Sequence, residues 1–228
     1  MGSVRAVVRP ASSAHSIVSH CADAGATYDG RAATYDRLIG SRLYNRAAWS
    51  TDVRDYARFA SAAVASGDGR LLDVAAGTAV ATAAAYRASA RPVVLLDRSR
   101  DMLSVAGQRL SVDGTLPPTI TLVQADAFAL PFAPGSFETV LSLGFLHLVE
   151  DVAGFVAALR AQLAPGGRLF CTSLVAQTRR GRAYLQLLHR AGEVAAPRSA
   201  AMLSAALGGA PLRVRGCMAY VELGSDGP

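Results

Sequence analysis

Apolar and polar positions change period several times along the chain, and each change marks an element. Between residues 28 and 50, Tyr35, Leu38, Ile39 and Leu43 recur at spacings of three and four, as an amphipathic helix requires. A second helix is predicted behind Ser50 or Thr51, with Val53, Tyr56, Ala57, Ala60 and Val64 on one face. After Gly67-Asp68-Gly69 the pattern becomes short continuous apolar runs, which predict strands at 71–74, 92–96, 119–123, 137–143 and 168–172. Three helices are predicted between them. One is alanine-rich and ends near residue 88. Another is capped by Ser99, with Met102, Leu103, Ala106 and Leu110 inward. The third is capped by Asp151, with Val152, Phe155, Val156, Leu159 and Leu163 inward. Residues 164–167 (Ala-Pro-Gly-Gly) predict a tight turn. Helices near 180–192 and 198–207 follow, and then one long strand over 212–223, bent at Gly216. Residues 1–26 keep no period and are expected as a flexible, loose or partly helical extension.

Continuous apolar strands alternating with amphipathic helices form a parallel sheet covered on both faces. The predicted fold is therefore α/β: a Rossmann-like, mostly parallel sheet with helices on both faces and an N-terminal helical cap. The cap spans 27–66 and the ligand-binding domain 67–228. At 228 residues the chain suits one such unit.

Composition narrows the function classes. Hydrophobic residues make up 51% and charged residues 18%, enough for a sizeable core. No apolar stretch approaches the ~20 residues that span a bilayer, and residues 1–26 lack the apolar region of a secretory signal. A cytoplasmic protein without a membrane partner is expected. Cys21, Cys171 and Cys217 show no metal-ligand spacing, so no metal is expected. The net charge is +6 and all 23 basic residues are arginine. They are scattered except for Arg179, Arg180 and Arg182, where no aromatics interleave, so no nucleic acid partner is expected.

In such a sheet, ligands bind beyond the carboxyl ends of the strands, at the topological switch point. The first loop, 73–79, consists of small residues apart from Val74 and Thr78, which lets backbone approach a ligand. Asp97 ends the second strand, at the distance from Gly77 where an acid can accept both ribose hydroxyls. Gln124-Ala125-Asp126-Ala127 ends the third, followed by Leu130-Pro131-Phe132 and Ser136-Phe137-Glu138-Thr139-Val140. With these segments the sequence resembles the class I S-adenosylmethionine (SAM)-dependent methyltransferase family. Matches at 71–79, 94–103, 123–140, 144–151 and 163–169 keep the family's order.

The resemblance implies SAM as cofactor. Asp73 and the loop through Ala75 and Gly77 would face its methionyl part, and Asp97 its ribose. Asp126 and the N–H of Ala127 would read the adenine edge, and backbone near Leu143 and Gly144 would border the methyl group. Structural alternatives stay open, with Asp73 capping a turn and Asp126 an ordinary loop acid. Ala75-Ala76-Gly77-Thr78 resembles the quinone C-methyltransferases of the same family. Ala79 departs from the family's usual acid-x-Gly-x-Gly-x-Gly loop, putting a methyl group where helix and strand pack against the cofactor.

Methyl transfer needs positioning, and a base only when the acceptor must lose a proton. Tyr28 and Tyr35 lie in repeated Tyr-Asp pairs, in a segment that closes over the cofactor in related methyltransferases. Tyr28 is a candidate substrate contact and Tyr35 a catalytic candidate; both could instead be core-facing aromatics. His147, after the fourth strand, is a candidate base or a structural hydrogen-bonding group. Tyr44 and Trp49 in the cap, with Tyr184 and His189 in the helix near 180–192, are candidate substrate contacts. In the family, helices like those at about 180–207 face the substrate. The Ser142-Leu143-Gly144-Phe145 loop lacks the Asp/Asn-Pro-Pro-aromatic tetrapeptide of base amino-methyltransferases, so a small-molecule acceptor in specialised biosynthesis is expected.

The competing reading is a methyltransferase-fold protein that cyclises its ligand or serves as a non-catalytic subunit. Ala79 motivates it, as does a tail with one strand in place of the family's two. Such a tail would leave a sheet edge open for a homo- or hetero-oligomer. A nicotinamide dehydrogenase fits the fold but not Asp126-Ala127 or 130–140.

Overall fold

A computed structural model describes residues 16–21 and 41–225, in which the strand pattern becomes one sheet of eight strands. They are β1 (Ile17–Ser19), β2 (Leu71–Val74), β3 (Val93–Asp97), β4 (Ile120–Gln124), β5 (Phe137–Ser142), β6 (Leu163–Leu174), β7 (Leu212–Arg215) and β8 (Met218–Gly224). The order is β1-β4-β3-β2-β5-β6-β8-β7. Neighbours from β1 to β6 are parallel, and β8 runs antiparallel to both β6 and β7. From β2 the chain moves outward to β3 and β4, then returns to β5. The switch point therefore lies between β2 and β5.

Successive strand residues point to opposite faces, so a strand buried on both sides must be apolar throughout. Leu72, Val74, Val94 and Leu96 enter one core with α4 (Val152–Arg160). Leu71, Val93 and Leu95 enter the other with α1 (Val53–Val64), α2 (Ala83–Arg87) and α3 (Arg100–Leu110). Two further helices, α5 (Arg179–Arg190) and α6 (Ala200–Ala206), follow β6. Ser99 and Asp151 cap α3 and α4 as predicted. The cap of α1 is Asp52, which accepts from Arg54 N at 2.8 Å. Ser50 cannot cap it, because Ser50 takes φ 54° and ends the preceding π-helical turn Asn45–Trp49. Of the predicted cap, α1 buries Phe59, Ala60, Ala63 and Val64 against the sheet.

Three regions differ from the sequence expectation. Ile17–Ser19 pairs with β4 and forms the sheet edge, where a loose or partly helical extension was expected. The two β-branched residues Ile17 and Val18 suit that edge, and Ser19 Oγ lies 3.1 Å from Gln124 Oε1. β6 absorbs the predicted Ala-Pro-Gly-Gly turn as a bulge, since Phe137 pairs with Leu163 but Thr139 with Arg168. The tail forms two strands, not one, with Gly216 in the turn at φ 58°. Only a residue without Cβ fits there, because a Cβ would lie 2.1 Å from Ser50 O. Cys217 N donates to Trp49 O at 2.8 Å, which docks the hairpin tip beside the cavity described below.

Candidate functional site

The loop after β2 owes its shape to three left-handed residues, Ala75 (φ 57°), Gly77 (φ 54°) and Ala79 (φ 54°). A left-handed conformation costs an L-residue about 1–2 kcal/mol, so this alternation is strained at both alanines. It turns Gly77 N toward Asp97 Oδ2 at 2.7 Å, while Ser99 N donates to Asp97 Oδ1 at 2.9 Å. Each carboxylate oxygen can accept more than one hydrogen bond. Ala125 N donates to Asp97 O at 3.1 Å and ties the third loop to the second.

Asp73 lies beneath the loop, 2% exposed, and does not line the cavity. Tyr86 Oη donates to Asp73 Oδ2 at 2.7 Å. Burial pushes the Asp73 carboxyl up to about 7; the Tyr86 hydrogen bond opposes this and the Asp97 charge adds to it. The geometry makes Asp73 a support of the loop from below. Ala79 is also 3% exposed and packs in the core with α1 and α2, outside the cavity wall. Its methyl group does not crowd the ligand space.

Ala75, Gly77, Asp97, Asp126, Ala127 and Leu143 all line one cavity of about 700 Å³ at the carboxyl ends of the strands. That volume is in the range of cofactor and drug-sized sites. Asp126 Oδ1 accepts from Phe128 N at 2.9 Å, fixing the third loop. Gly144 N donates to Thr172 Oγ1 at 2.6 Å and takes φ 69°. A Cβ on Gly144 would come within 3.1 Å of Tyr56 Oη, so α1 and the fourth loop meet closely here.

The far wall is apolar and aromatic: Trp49, Val53, Tyr56, Leu174, Met218 and Tyr220. Tyr56 was visible in the sequence as the polar aromatic on the apolar face of α1. Tyr220 and Met218 were not, because their place depends on the hairpin. His147 lines the cavity too. Burial, and then the Arg198 charge, push its pKa down to about 4, so it is neutral at pH 7. Leu174 N approaches His147 Nδ1 at 3.5 Å, too long for a firm hydrogen bond.

Other candidates fall behind or outside the cavity. Tyr44 and Tyr184 bring their hydroxyls within 3.1 Å, and Tyr184 packs on Trp49 at 4.9 Å between ring centroids. They brace Trp49 without lining the cavity. Burial, with the Tyr184 hydrogen bond second, raises Tyr44 to about 12. His189 is exposed on α5, with Nδ1 3.0 Å from Val194 O, and does not line the cavity. The reason is the helix's orientation: α5 buries Gly181 and Leu185 and turns His189 to solvent. Tyr28 and Tyr35 lie outside the described residues.

Comparison with known proteins agrees with this geometry. Residues 72–171 match the family model described as a methyltransferase domain. A demethylmenaquinone methyltransferase from Clavibacter sepedonicus is 42% identical over 117 residues, covering 49% of this chain and 45% of that protein. One from Thermobifida fusca is 35% identical over 148 residues, covering 64% and 59%. The chain thus spans roughly half the length of these curated relatives. Geranyl diphosphate C-methyltransferase from Streptomyces coelicolor, solved with S-adenosyl-L-homocysteine, shares the fold at TM-score 0.57. It is 12% identical, and the likeness covers 75% of this chain and 74% of that one.

Proposed function

We propose, for a chain whose residues 72–171 match a methyltransferase domain, that it is a class I SAM-dependent enzyme and methylates a small, uncharged, ring-bearing molecule. The observation that carries this is convergence: the ends of β2, β3, β4 and β5 deliver Gly77, Asp97, Asp126 and Leu143 to one cavity. SAM fits that edge, since a carboxylate acceptor, Asp97, lines the cavity and the 75–77 loop is small enough for close approach. When bound, SAM supplies an electrophilic methyl group.

The chain's own residues bind and orient. Asp97 would accept hydrogen bonds from the ribose hydroxyls, Asp126 and Ala127 would meet the adenine edge, and Ala75 and Gly77 would border the methionyl part. Trp49, Val53, Leu174 and Met218 exclude water from the acceptor. His147, with a pKa of about 4, is too weak a base to take a proton from a hydroxyl and acts by orienting the acceptor. Arg98 is the one cation among the described lining residues, and it stands beside Asp97. That disfavours a phosphorylated acceptor and favours a ring of the kind named in the quinone-methylating relatives.

Calorimetric titration with SAM and with its demethylated product tests the cofactor role. Micromolar binding of both is expected, followed by transfer of labelled methyl from SAM to 1,4-naphthoquinol. Folded protein that binds neither nucleoside defeats the proposal.

A further inference from the structure

The first turn of α5 breaks two rules of helix electrostatics. A helix N-terminus favours acids over cations, and like charges three or four residues apart repel. Arg179, Arg180 and Arg182 nevertheless stand there, with no acid in the turn. Arg190 ends the helix, and no Asp or Glu occurs between them. All four arginines are exposed, and among the described residues none of them makes an ion pair. Helix stability does not account for this arrangement, so its use lies outside the chain.

The same face carries apolar side chains without cover. At 3.6 residues per turn, Leu187 falls on the solvent-facing half of α5 with Arg180 and Arg190, and it is 60% exposed. Tyr184, one turn earlier, meets the Tyr44 hydroxyl at 3.1 Å, which sets the cap segment beside α5. That segment adds Arg46, also exposed, and Leu43, at 83% the most exposed large apolar residue among those described. Tyr184 also packs on Trp49, which lines the cavity. One aromatic layer therefore separates this surface from the acceptor space.

No described helix is long and apolar enough to cross a membrane. A helix that lies on a lipid surface needs neither property. It needs basic side chains for anionic headgroups and a few apolar ones to enter the interface. We infer that the outer face of α5, with the adjoining Leu43 and Arg46, docks this protein on an anionic lipid bilayer. A nucleic-acid backbone would use the arginines but leave both leucines in water, which favours lipid. Docking there holds the apolar cavity wall beside the phase in which apolar molecules dissolve.

The test is co-sedimentation of the chain with phosphatidylcholine vesicles, with and without phosphatidylglycerol. Native protein should bind the anionic vesicles about tenfold more tightly or better, and high salt should remove that preference. Combining Arg179→Gln, Arg180→Gln and Arg182→Gln should weaken binding to anionic vesicles about a hundredfold. Leu187→Ser should weaken it about threefold or more. Neither variant should lower the urea midpoint, because the arginines oppose the helix dipole and Leu187 is exposed. No binding to anionic vesicles, equal binding to neutral ones, native affinity in either variant, or duplex RNA bound in place of vesicles overturns the assignment. Vesicle binding is read without SAM or acceptor, so its failure is distinct from failure of the proposed methyl transfer.

Discussion

The surroundings of Arg91, at the amino end of the sheet, and those of the cavity, at its carboxyl end, treat their buried polar groups in opposite ways. At the amino end, Arg91 is 4% exposed and every direction of its guanidinium is met. Nε donates to Gly69 O and Nη1 to Val64 O, each at 2.8 Å. Nη2 reaches Thr139 Oγ1 at 2.9 Å and Glu138 Oε2 at 3.3 Å. One side chain thus joins the end of α1 to the starts of β2 and β5. The carboxyl end instead holds two left-handed alanines, a buried Asp73 near neutrality, an uncharged His147 and an unpaired Tyr220 hydroxyl. Where protein satisfies its own polar groups, they specify the fold. The strained and neutral-held groups gather instead on and beneath the loops that border the cavity.

The sharpest test of that contrast is Arg91→Ala. Removing it leaves Val64 O, Gly69 O and Thr139 Oγ1 without their donor, while Glu138, 43% exposed, returns to water, so a loss of about 3–5 kcal/mol in urea unfolding is expected. SAM affinity of the folded fraction should be unchanged. A loss below about 1 kcal/mol would break the comparison.

Asp73 sharpens it through pH. Its folded pKa of about 7 lies above its unfolded value of 3.8, so the native state holds the proton more tightly. That stabilisation is complete below the unfolded value and is lost as pH rises through the folded one. Native protein should therefore lose on the order of 2–4 kcal/mol relative to Asp73→Asn over this window. Unfolding curves with the same pH slope in both proteins would remove Asp73 as the cause.

Asp97→Ala should act on binding instead. Loss of a charged hydrogen-bonding partner is worth about 1.5–3 kcal/mol, or about ten- to 150-fold in SAM affinity by calorimetry. Unaltered affinity would mean that Asp97 serves the protein's own loops and not the cofactor.

Asp97, Gly77 and Asp126 could be read from the sequence because a ligand edge sits at a fixed offset from strand ends, and strand ends are marked by abrupt loss of apolar residues. Tyr220 could not. Its place depends on Gly216 turning the chain back against Ser50, a contact between residues far apart in sequence. His147 and His189 look alike in sequence, and only the orientation of α5 separates the one in the cavity wall from the one in solvent. Ile17–Ser19 carried too short a pattern to announce a strand, since its pairing is supplied by β4.

Ala79 carries the smallest expected effect and decides most about the cofactor. Replacing it by glycine relieves about 1–2 kcal/mol of left-handed strain at φ 54°. It also adds about 0.5–1 kcal/mol of unfolded-state entropy and gives up the burial of one methyl group, worth up to about 0.8 kcal/mol. These nearly cancel, so the stability of Ala79→Gly should stay within about 1 kcal/mol of native. Because Ala79 packs into the core and not into the cavity wall, SAM affinity should change by no more than about twofold, near the limit of what such a remote methyl can do. A tenfold gain in affinity would show instead that this methyl group obstructs the cofactor, and the cavity would then have to be read as one shaped against SAM.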